Sequence, residues 1–228
     1  PVGNEMKDEF YNDAHGPIGF MAQGSEFGFG KMYARGINDE ALVPGDKFLH
    51  IVSCNTHNMS VLVKTLGMDS DGTNHLVDGR FLCIRRANDI SQDDGFVASP
   101  TVEKHKDERF GTHHARDANH LFATLGYDLN LFSSAIKLNT QYMHSIWFDL
   151  QLDRDTDVAE VERRLRGNPL VAVTNKRYAN LIFSFGRDHG YYGRILSQTV
   201  VVIAVATSGV TQVVSNSTNP AAGANFMR

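Results

Sequence analysis

The stretch that decides the fold runs from His50 to Gly67 and reads HIVSCNTHNMSVLVKTLG. Ile51 and Val52 end a short apolar run of the kind that forms a buried strand. From Met59 onward, apolar side chains recur at helical spacing. Cys54 therefore lies where a strand passes into a helix, although the chain has only two cysteines to place.

That position favours chemistry at Cys54. A helix N-terminus offers unpaired N–H groups and the positive end of the helix dipole, which stabilise a thiolate and make it a nucleophile. Ser53, Asn55 and Thr56 add polar groups that can bind an oxyanion or a phosphate. The simpler alternative is that Cys54 is a small buried apolar residue. Cys83, in the middle of an apolar run, is predicted to lie in the core.

Composition narrows the class of protein. The chain has 228 residues, 42% of them apolar and 21% charged, which is enough for one sizeable domain or a domain and a half. A net charge of −4 without a basic block argues against nucleic acid as a partner. The longest apolar run is strand-sized, which argues against a membrane. Two cysteines make no disulfide framework, so we expect a reducing, cytoplasmic location.

The order of patterns predicts an α+β fold. Strands are predicted at 17–26, 48–54, 79–89, 143–153, 170–174, 180–185, 199–206 and 210–216. Helices are predicted after 54, from a Thr112 cap to Gly126, and from a Thr156 cap to Gly167, with a long loop over 89–111. Several strands are too close together for crossover helices, so we expect a mixed, largely antiparallel sheet with helices on one face. The other face would pack against a second copy.

Five short motifs, in order, resemble those of the archaeal type of glyceraldehyde-3-phosphate dehydrogenase. Residues 53–56, SCNT, resemble its nucleophile motif, and residues 23–26, QGSE, resemble its QGGE segment. Residues 83–92, CIRRANDISQ, resemble a strand end that reads VRRGADP. Residues 112–118, THHARDA, resemble SHHGPDV, and residues 143–150, MHSIWFDL, resemble MHSLMVEL.

The resemblance implies the α+β fold of that family's catalytic domain. Residues 1–50 would be the remnant and junction of a dinucleotide-binding domain, 51–210 the catalytic domain, and 211–228 a segment returning toward the nucleotide domain. The G-x-G-x-x-G turn of a dinucleotide-binding half is missing from the sequence. Because the chain opens at Pro1, we expect an incomplete or trimmed product.

The resemblance also implies a mechanism. Cys54 would attack the aldehyde to give a thiohemiacetal, hydride would pass to NAD or NADP, and inorganic phosphate would release the resulting thioester as an acyl phosphate. His144 would be the general base. The substrate is expected to be glyceraldehyde 3-phosphate or another phosphorylated aldehyde or semialdehyde.

Binding residues follow from the same motifs. Substrate and phosphate would be bound by Ser53, Asn55, Thr56, Thr112, His113, His114 and Arg85. The cofactor would be contacted by Gly24, Arg86 and Asn216. The chain departs from the family at Ser25, which replaces a glycine, and at His57 and Asn58, which follow SCNT where small residues are usual. Bulk at His57 and Asn58 is expected to narrow the site or to change the substrate.

Other functions stay open at this stage. The chain has ten histidines, but His105, His113, His114 and His120 lack the regular spacing of a metal site, so no metal is predicted. A non-catalytic oligomeric or binding protein could keep the fold with an unreactive Cys54. A thiol enzyme independent of nicotinamide could use Cys54 and His144. As an enzyme of the family, the chain is expected to form a dimer or tetramer.

Overall fold

The fold comes from a computed structural model that describes residues 3–88, 97–140, 143–182 and 199–203, and the backbone of 213–217. In chain order the elements are α1 (Gly3–Met6), β1 (Phe20–Gly24), β2 (Lys31–Tyr33), β3 (Phe48–Val52), α2 (Cys54–Gly67), β4 (Leu76–Arg85), β5 (Thr101–Val102), α3 (His113–Ala123), β6 (Leu131–Lys137), β7 (His144–Leu152), α4 (Val158–Gly167), β8 (Val171–Thr174), β9 (Thr199–Val202) and β10 (Val213–Ser217). A π-helical turn, Lys7–Tyr11, follows α1, and a 3₁₀ turn, Asp39–Ala41, follows β2. The predicted α+β class is confirmed.

The main sheet has seven described strands in the order β5-β6-β4-β7-β10-β9-β8. The pairs β4–β6 and β8–β9 are parallel, and the other neighbours are antiparallel. The prediction of a mixed, largely antiparallel sheet is therefore confirmed. Strand β6, which sequence reasoning missed, pairs with β4 along its whole length. Strand β10, within the predicted C-terminal segment, lies between β7 and β9.

A smaller sheet carries the strand that leads to Cys54. Its three strands run parallel in the order β1-β3-β2. Gly24, the last residue of β1, pairs with Val52, the last residue of β3. Because the carboxyl ends of parallel strands meet at one edge of a sheet, Ser25 and Ser53 emerge side by side.

The core lies between the helices and one face of the main sheet. Helix α2 is buried on almost every side and contacts α3, α4, β4, β7 and β10. Its apolar residues pack with Phe81, Cys83 and Phe148 from the sheet, so Cys83 is a core residue as predicted. On the opposite face Leu82 and Trp147 are only half-buried. No helix within the described ranges has both the length and the apolar character needed to cross a membrane.

Three local predictions are wrong. Helix α4 is capped by Asp157 and not by Thr156, because the Asp157 carboxylate accepts a 2.8 Å hydrogen bond from the Glu160 amide. Residues 179–182 form a helical turn, in which the Ile182 amide bonds back to the Tyr178 carbonyl, and not the start of a strand. The predicted loop contains β5, paired with β6, while 89–96 lie outside the described residues.

Candidate functional site

The ends of both sheets meet the N-termini of α2 and α3 around a cavity of about 370 Å³. Its lining consists of Gln23, Gly24, Ser25, Ser53, Cys54, Asn55, Arg85, His113, His114 and His144. Apart from Gln23 and Ser25, every one of these is a predicted site residue. Of the other predicted residues, Thr56, Thr112 and Arg86 do not line it, and the side chain of Asn216 lies outside the described part of the chain.

Cys54 opens helix α2 and is half-buried at the cavity wall. Ser53 is the N-cap residue, with extended backbone, and its Oγ accepts a 3.4 Å hydrogen bond from the Thr56 amide. The hydroxyls of Ser53 and Thr56 lie 2.9 Å apart. Serine suits this position because a short hydroxyl side chain can satisfy an amide that the helix leaves unpaired. Thr56 is fully buried and therefore braces the helix start beneath the cavity.

His144, the first residue of β7, is held by the chain that follows β4. The Arg86 amide donates a 3.1 Å hydrogen bond to His144 Nδ1, and both residues are buried. A neutral imidazole that accepts at Nδ1 carries its proton on Nε2. The ring is therefore set as a donor from Nε2. This tautomer differs from the one that the predicted general base needs, because a base must present an unprotonated nitrogen.

The start of α3 is anchored by Ser133 of β6, a residue that sequence reasoning missed. Thr112 occupies the N-cap position as predicted, but its side chain makes no cap bond. Its hydroxyl lies 2.6 Å from Ser133 Oγ, which also accepts a 3.1 Å hydrogen bond from the Ala115 amide. Ser133, on the neighbouring strand β6, therefore caps α3. Thr112 is buried and contacts Ser133 instead of lining the cavity.

Two imidazoles at this helix start face the cavity together. The rings of His113 and His114 are 3.9 Å apart between centroids. His113 Nε2 lies 3.4 Å from Ser25 Oγ, and His114 Nδ1 lies 3.5 Å from Ser53 Oγ. Burial lowers the pKa of His113, and it lowers the pKa of fully buried His114 well below the ordinary value. Both rings are therefore neutral near neutral pH and act as hydrogen-bonding groups.

Besides Nε of Arg85, two buried polar atoms of cavity-lining residues have no hydrogen-bond partner within the described part of the chain. They are Nε2 of His114 and Oδ1 of Asn55, and each residue is only 2% exposed. Buried polar atoms are normally paired, because leaving them unpaired costs free energy. Because both residues line the cavity, a ligand or a water molecule bound there could supply the missing partners.

Arg85 brings the positive charge to the cavity. It ends β4, and its Nη1 forms an ion pair with the Glu103 carboxylate, which follows β5. The Arg85 Nε atom is buried without a hydrogen-bond partner. Sequence reasoning missed Glu103, because it lies in the stretch taken as a loop, and nothing in the sequence predicts the pairing of β5 with β6.

The departures from the family pattern differ in effect. His57 does not narrow the site, since it does not line the cavity. Its Nε2 lies 2.9 Å from the Arg35 carbonyl, and burial lowers its pKa to about 4. Asn58 accepts a 2.9 Å bond from Thr199 and is likewise turned into the core. The expectation for these two residues is wrong, because neither lines the cavity. Ser25 does line it, beside His113.

The three residues predicted to contact the cofactor, Gly24, Arg86 and Asn216, occupy different kinds of position. Gly24 lines the cavity, but Arg86 is 4% exposed and its amide serves His144. Asn216 is described only by its backbone, which pairs with Ser145 in β7. None of the described turns supplies the glycine-rich strand-to-helix junction that holds a pyrophosphate. In the same ranges, no group of three or more potential ligands is placed to hold a metal ion.

All five motifs that carry the family resemblance contribute to this one cavity, although they are spread from Gln23 to His144. Comparisons with protein-family models and with curated proteins find no match to the chain.

Proposed function

We propose that this chain is the catalytic half of a phosphorylating, NAD(P)-dependent aldehyde dehydrogenase that acts on glyceraldehyde 3-phosphate or a similar phosphorylated aldehyde. One observation carries the proposal. A cysteine at a helix N-terminus shares a cavity with an oriented histidine, His144, and with a cluster that suits an anion, namely Arg85, His113 and His114. The ordered resemblance of five motifs supports the same function.

The proposed chemistry starts at Cys54. Its thiolate attacks the aldehyde carbon, a C–S bond forms, and the oxygen takes a proton to give a thiohemiacetal. With an acyl phosphate, the same attack expels inorganic phosphate and leaves a thioester. In both cases negative charge develops on the carbonyl oxygen. The Nε2–H of His144 and the backbone amides at the start of α2 are the donors that would stabilise it.

The phosphate-binding part of the proposal rests on the other wall. Arg85 supplies a guanidinium, and α3 presents its N-terminus, where backbone amides favour an anion. The neutral rings of His113 and His114 can donate hydrogen bonds without adding charge. An inorganic phosphate bound here would lie beside the thioester that it attacks.

In the complete reaction, NAD or NADP would be the oxidant. Because the described residues lack a dinucleotide site, we assign no step of this chain to the cofactor. The proposed reaction therefore has two parts: an oxidation, which needs a nucleotide-binding domain, and an acyl transfer, which the residues of this cavity would perform without a nucleotide.

The proposed partner at the sheet is a second copy of the chain, giving a dimer or tetramer in the cytoplasm. The outer face of the main sheet presents Leu82, Ile84 and Trp147, all half-buried. An apolar sheet face of this kind is stabilised when it is covered. Sedimentation across a range of protein concentrations tests this, and a monomer at every concentration would contradict it.

Exchange of labelled phosphate into acetyl phosphate tests the acyl-transfer half without any nucleotide. We expect Cys54 to be acetylated as phosphate leaves, and labelled phosphate to regenerate acetyl phosphate. The C54S variant should show no exchange, whereas C83A, which removes the buried core thiol, should retain it. Exchange that survives in C54S, or that is missing in the wild type, would contradict the proposal.

A second candidate is a cofactor-independent thiol enzyme, because the cavity joins Cys54 and His144 while the described residues lack a dinucleotide site. It would hydrolyse activated esters at a rate independent of phosphate. Phosphate-dependent exchange favours the first candidate, and ester turnover without exchange favours the second.

A further inference from the structure

The charge balance of the cavity is unusual for a site that takes a dianion. Among the described residues that line it, Arg85 has the only guanidinium or ammonium group. Three imidazoles line the cavity. His113 and His114 are neutral near neutral pH because burial lowers their pKa values, and His144 accepts a hydrogen bond at Nδ1, as a neutral ring does. Glu103 pairs with the one guanidinium, so the wall carries little net positive charge before any ligand arrives.

We propose that Glu103 sets the anion affinity of this cavity by opposing the charge of Arg85, so that it weakens the binding of doubly charged anions more than the binding of singly charged ones. This inference rests on the proposed function, since it concerns the anion side of the same site. Glu103 does not touch the reacting atoms and is a specificity-determining residue.

The contacts around Glu103 and Arg85 leave both side chains able to respond to a bound anion. Glu103 is fixed by its backbone, whose amide donates a 2.9 Å hydrogen bond to the Ala135 carbonyl. Its side chain is 26% exposed and that of Arg85 is 32% exposed, so neither is locked in the core. The carboxylate takes Nη1 of Arg85 and leaves Nε buried without a partner. An anion in the cavity can therefore approach the exposed part of the Arg85 side chain while it is still repelled by the carboxylate beside it.

Anions of different charge distinguish an electrostatic role of Glu103 from a purely structural one. The repulsion that Glu103 exerts on an anion is proportional to the charge of that anion. Removing the carboxylate charge should then tighten a dianion by roughly the square of the factor found for a monoanion. A purely structural role for Glu103, such as holding Arg85 in place, predicts weaker binding of both.

The test measures how sulfate and nitrate protect Cys54 from iodoacetamide at constant ionic strength. The midpoint concentration of protection is used, since it does not depend on the absolute alkylation rate. Glu103→Gln should lower the sulfate midpoint about 10-fold and the nitrate midpoint about 3-fold, the range for one charge removed near a partly exposed site. Glu108→Gln, which removes one exposed carboxylate outside the cavity, should change either midpoint less than about 2-fold.

Further variants keep the outcome decisive. Arg85→Ala should weaken sulfate protection, and adding Glu103→Gln to it should recover less than half of the loss. Glu103→Ala should reproduce the effect of Glu103→Gln if the charge is what matters. Four outcomes would overturn the inference. The midpoints could be equal in wild type and Glu103→Gln, the variant could bind more weakly, both anions could shift equally, or no variant could show protection. Acetyl phosphate exchange is measured separately. If exchange failed while the sulfate and nitrate midpoints shifted as expected, the proposed function would be contradicted, but the role of Glu103 in anion binding would stand.

Discussion

At the scale of single residues, the hydrogen bond from the Arg86 amide to His144 decides what the imidazole can do. It fixes Nδ1 as an acceptor and leaves the proton on Nε2. A glutamine at this position can present an N–H near the place of Nε2–H, but it cannot act as a base. Comparing variants of His144 therefore separates hydrogen-bond donation from proton abstraction.

We expect His144→Gln to retain much of the acetyl phosphate exchange and His144→Ala to lose about 100-fold, the usual cost of removing one oxyanion donor. The measurement is the exchange rate at saturating acetyl phosphate. An equal loss in both variants would contradict the donor role and favour general-base catalysis by His144.

At the scale of elements, the caps of α2 and α4 offer a matched pair. Ser53 caps the helix that carries Cys54, and Asp157 caps a helix away from the cavity. Replacing either with alanine should lower the free energy of unfolding by about 1 kcal/mol, because an amide loses its partner. Only Ser53→Ala should also slow alkylation of Cys54.

Urea unfolding and the rate of iodoacetamide labelling measure the two effects. If Asp157→Ala slowed labelling as much as Ser53→Ala did, the cap of α2 would have no specific effect on the reactivity of the Cys54 thiol.

Elements formed by local patterns are the ones that sequence could predict. The strand-to-helix junction at Cys54 follows from apolar spacing and a serine cap, both read within a few residues. The anchoring of α3 by Ser133 and the pairing of Arg85 with Glu103 depend on strand register between distant segments. Neither Ser133 nor Glu103 stands out locally. Residues 179–182 show the converse, since an apolar run suggested a strand where the chain makes a helical turn.

In the candidate site, too, some residue roles could be predicted from the sequence and others could not. The residues at the cavity wall were reached through motifs, and eight predicted residues line it. Thr56 and Thr112 were expected to touch ligand, but each hydroxyl is used within the protein. Polar residues at helix starts have two uses, capping and ligand binding, and only the fold shows which one applies.

At the scale of the whole molecule, buried His57 makes stability depend on pH. Its pKa falls from 6.5 to about 4 on folding, chiefly because burial disfavours the charged ring. The unfolded chain therefore binds the proton more readily, and stability is full above about pH 6.5 and declines as the pH falls toward about 4. From this residue alone we expect a loss of about 2 kcal/mol between about pH 7.5 and about pH 5.

The control is His57→Gln, whose amide can still donate to the Arg35 carbonyl but does not titrate. Urea unfolding at both pH values should show a smaller decline in this variant, with the remainder due to other buried groups such as His114. An identical decline in wild type and variant would show that His57 does not control the acid sensitivity.

The central claim is that the cavity holds an accessible, nucleophilic thiol next to an anion site. The most direct test is the alkylation rate of Cys54 near neutral pH, with and without phosphate, read by peptide mapping. Cys83 is the internal reference, because it is fully buried and burial raises its pKa to about 12. We predict that Cys54 reacts at least about 10-fold faster than an ordinary free thiol and that phosphate slows it. A Cys54 that reacts no faster than an ordinary thiol and does not respond to phosphate would contradict the account.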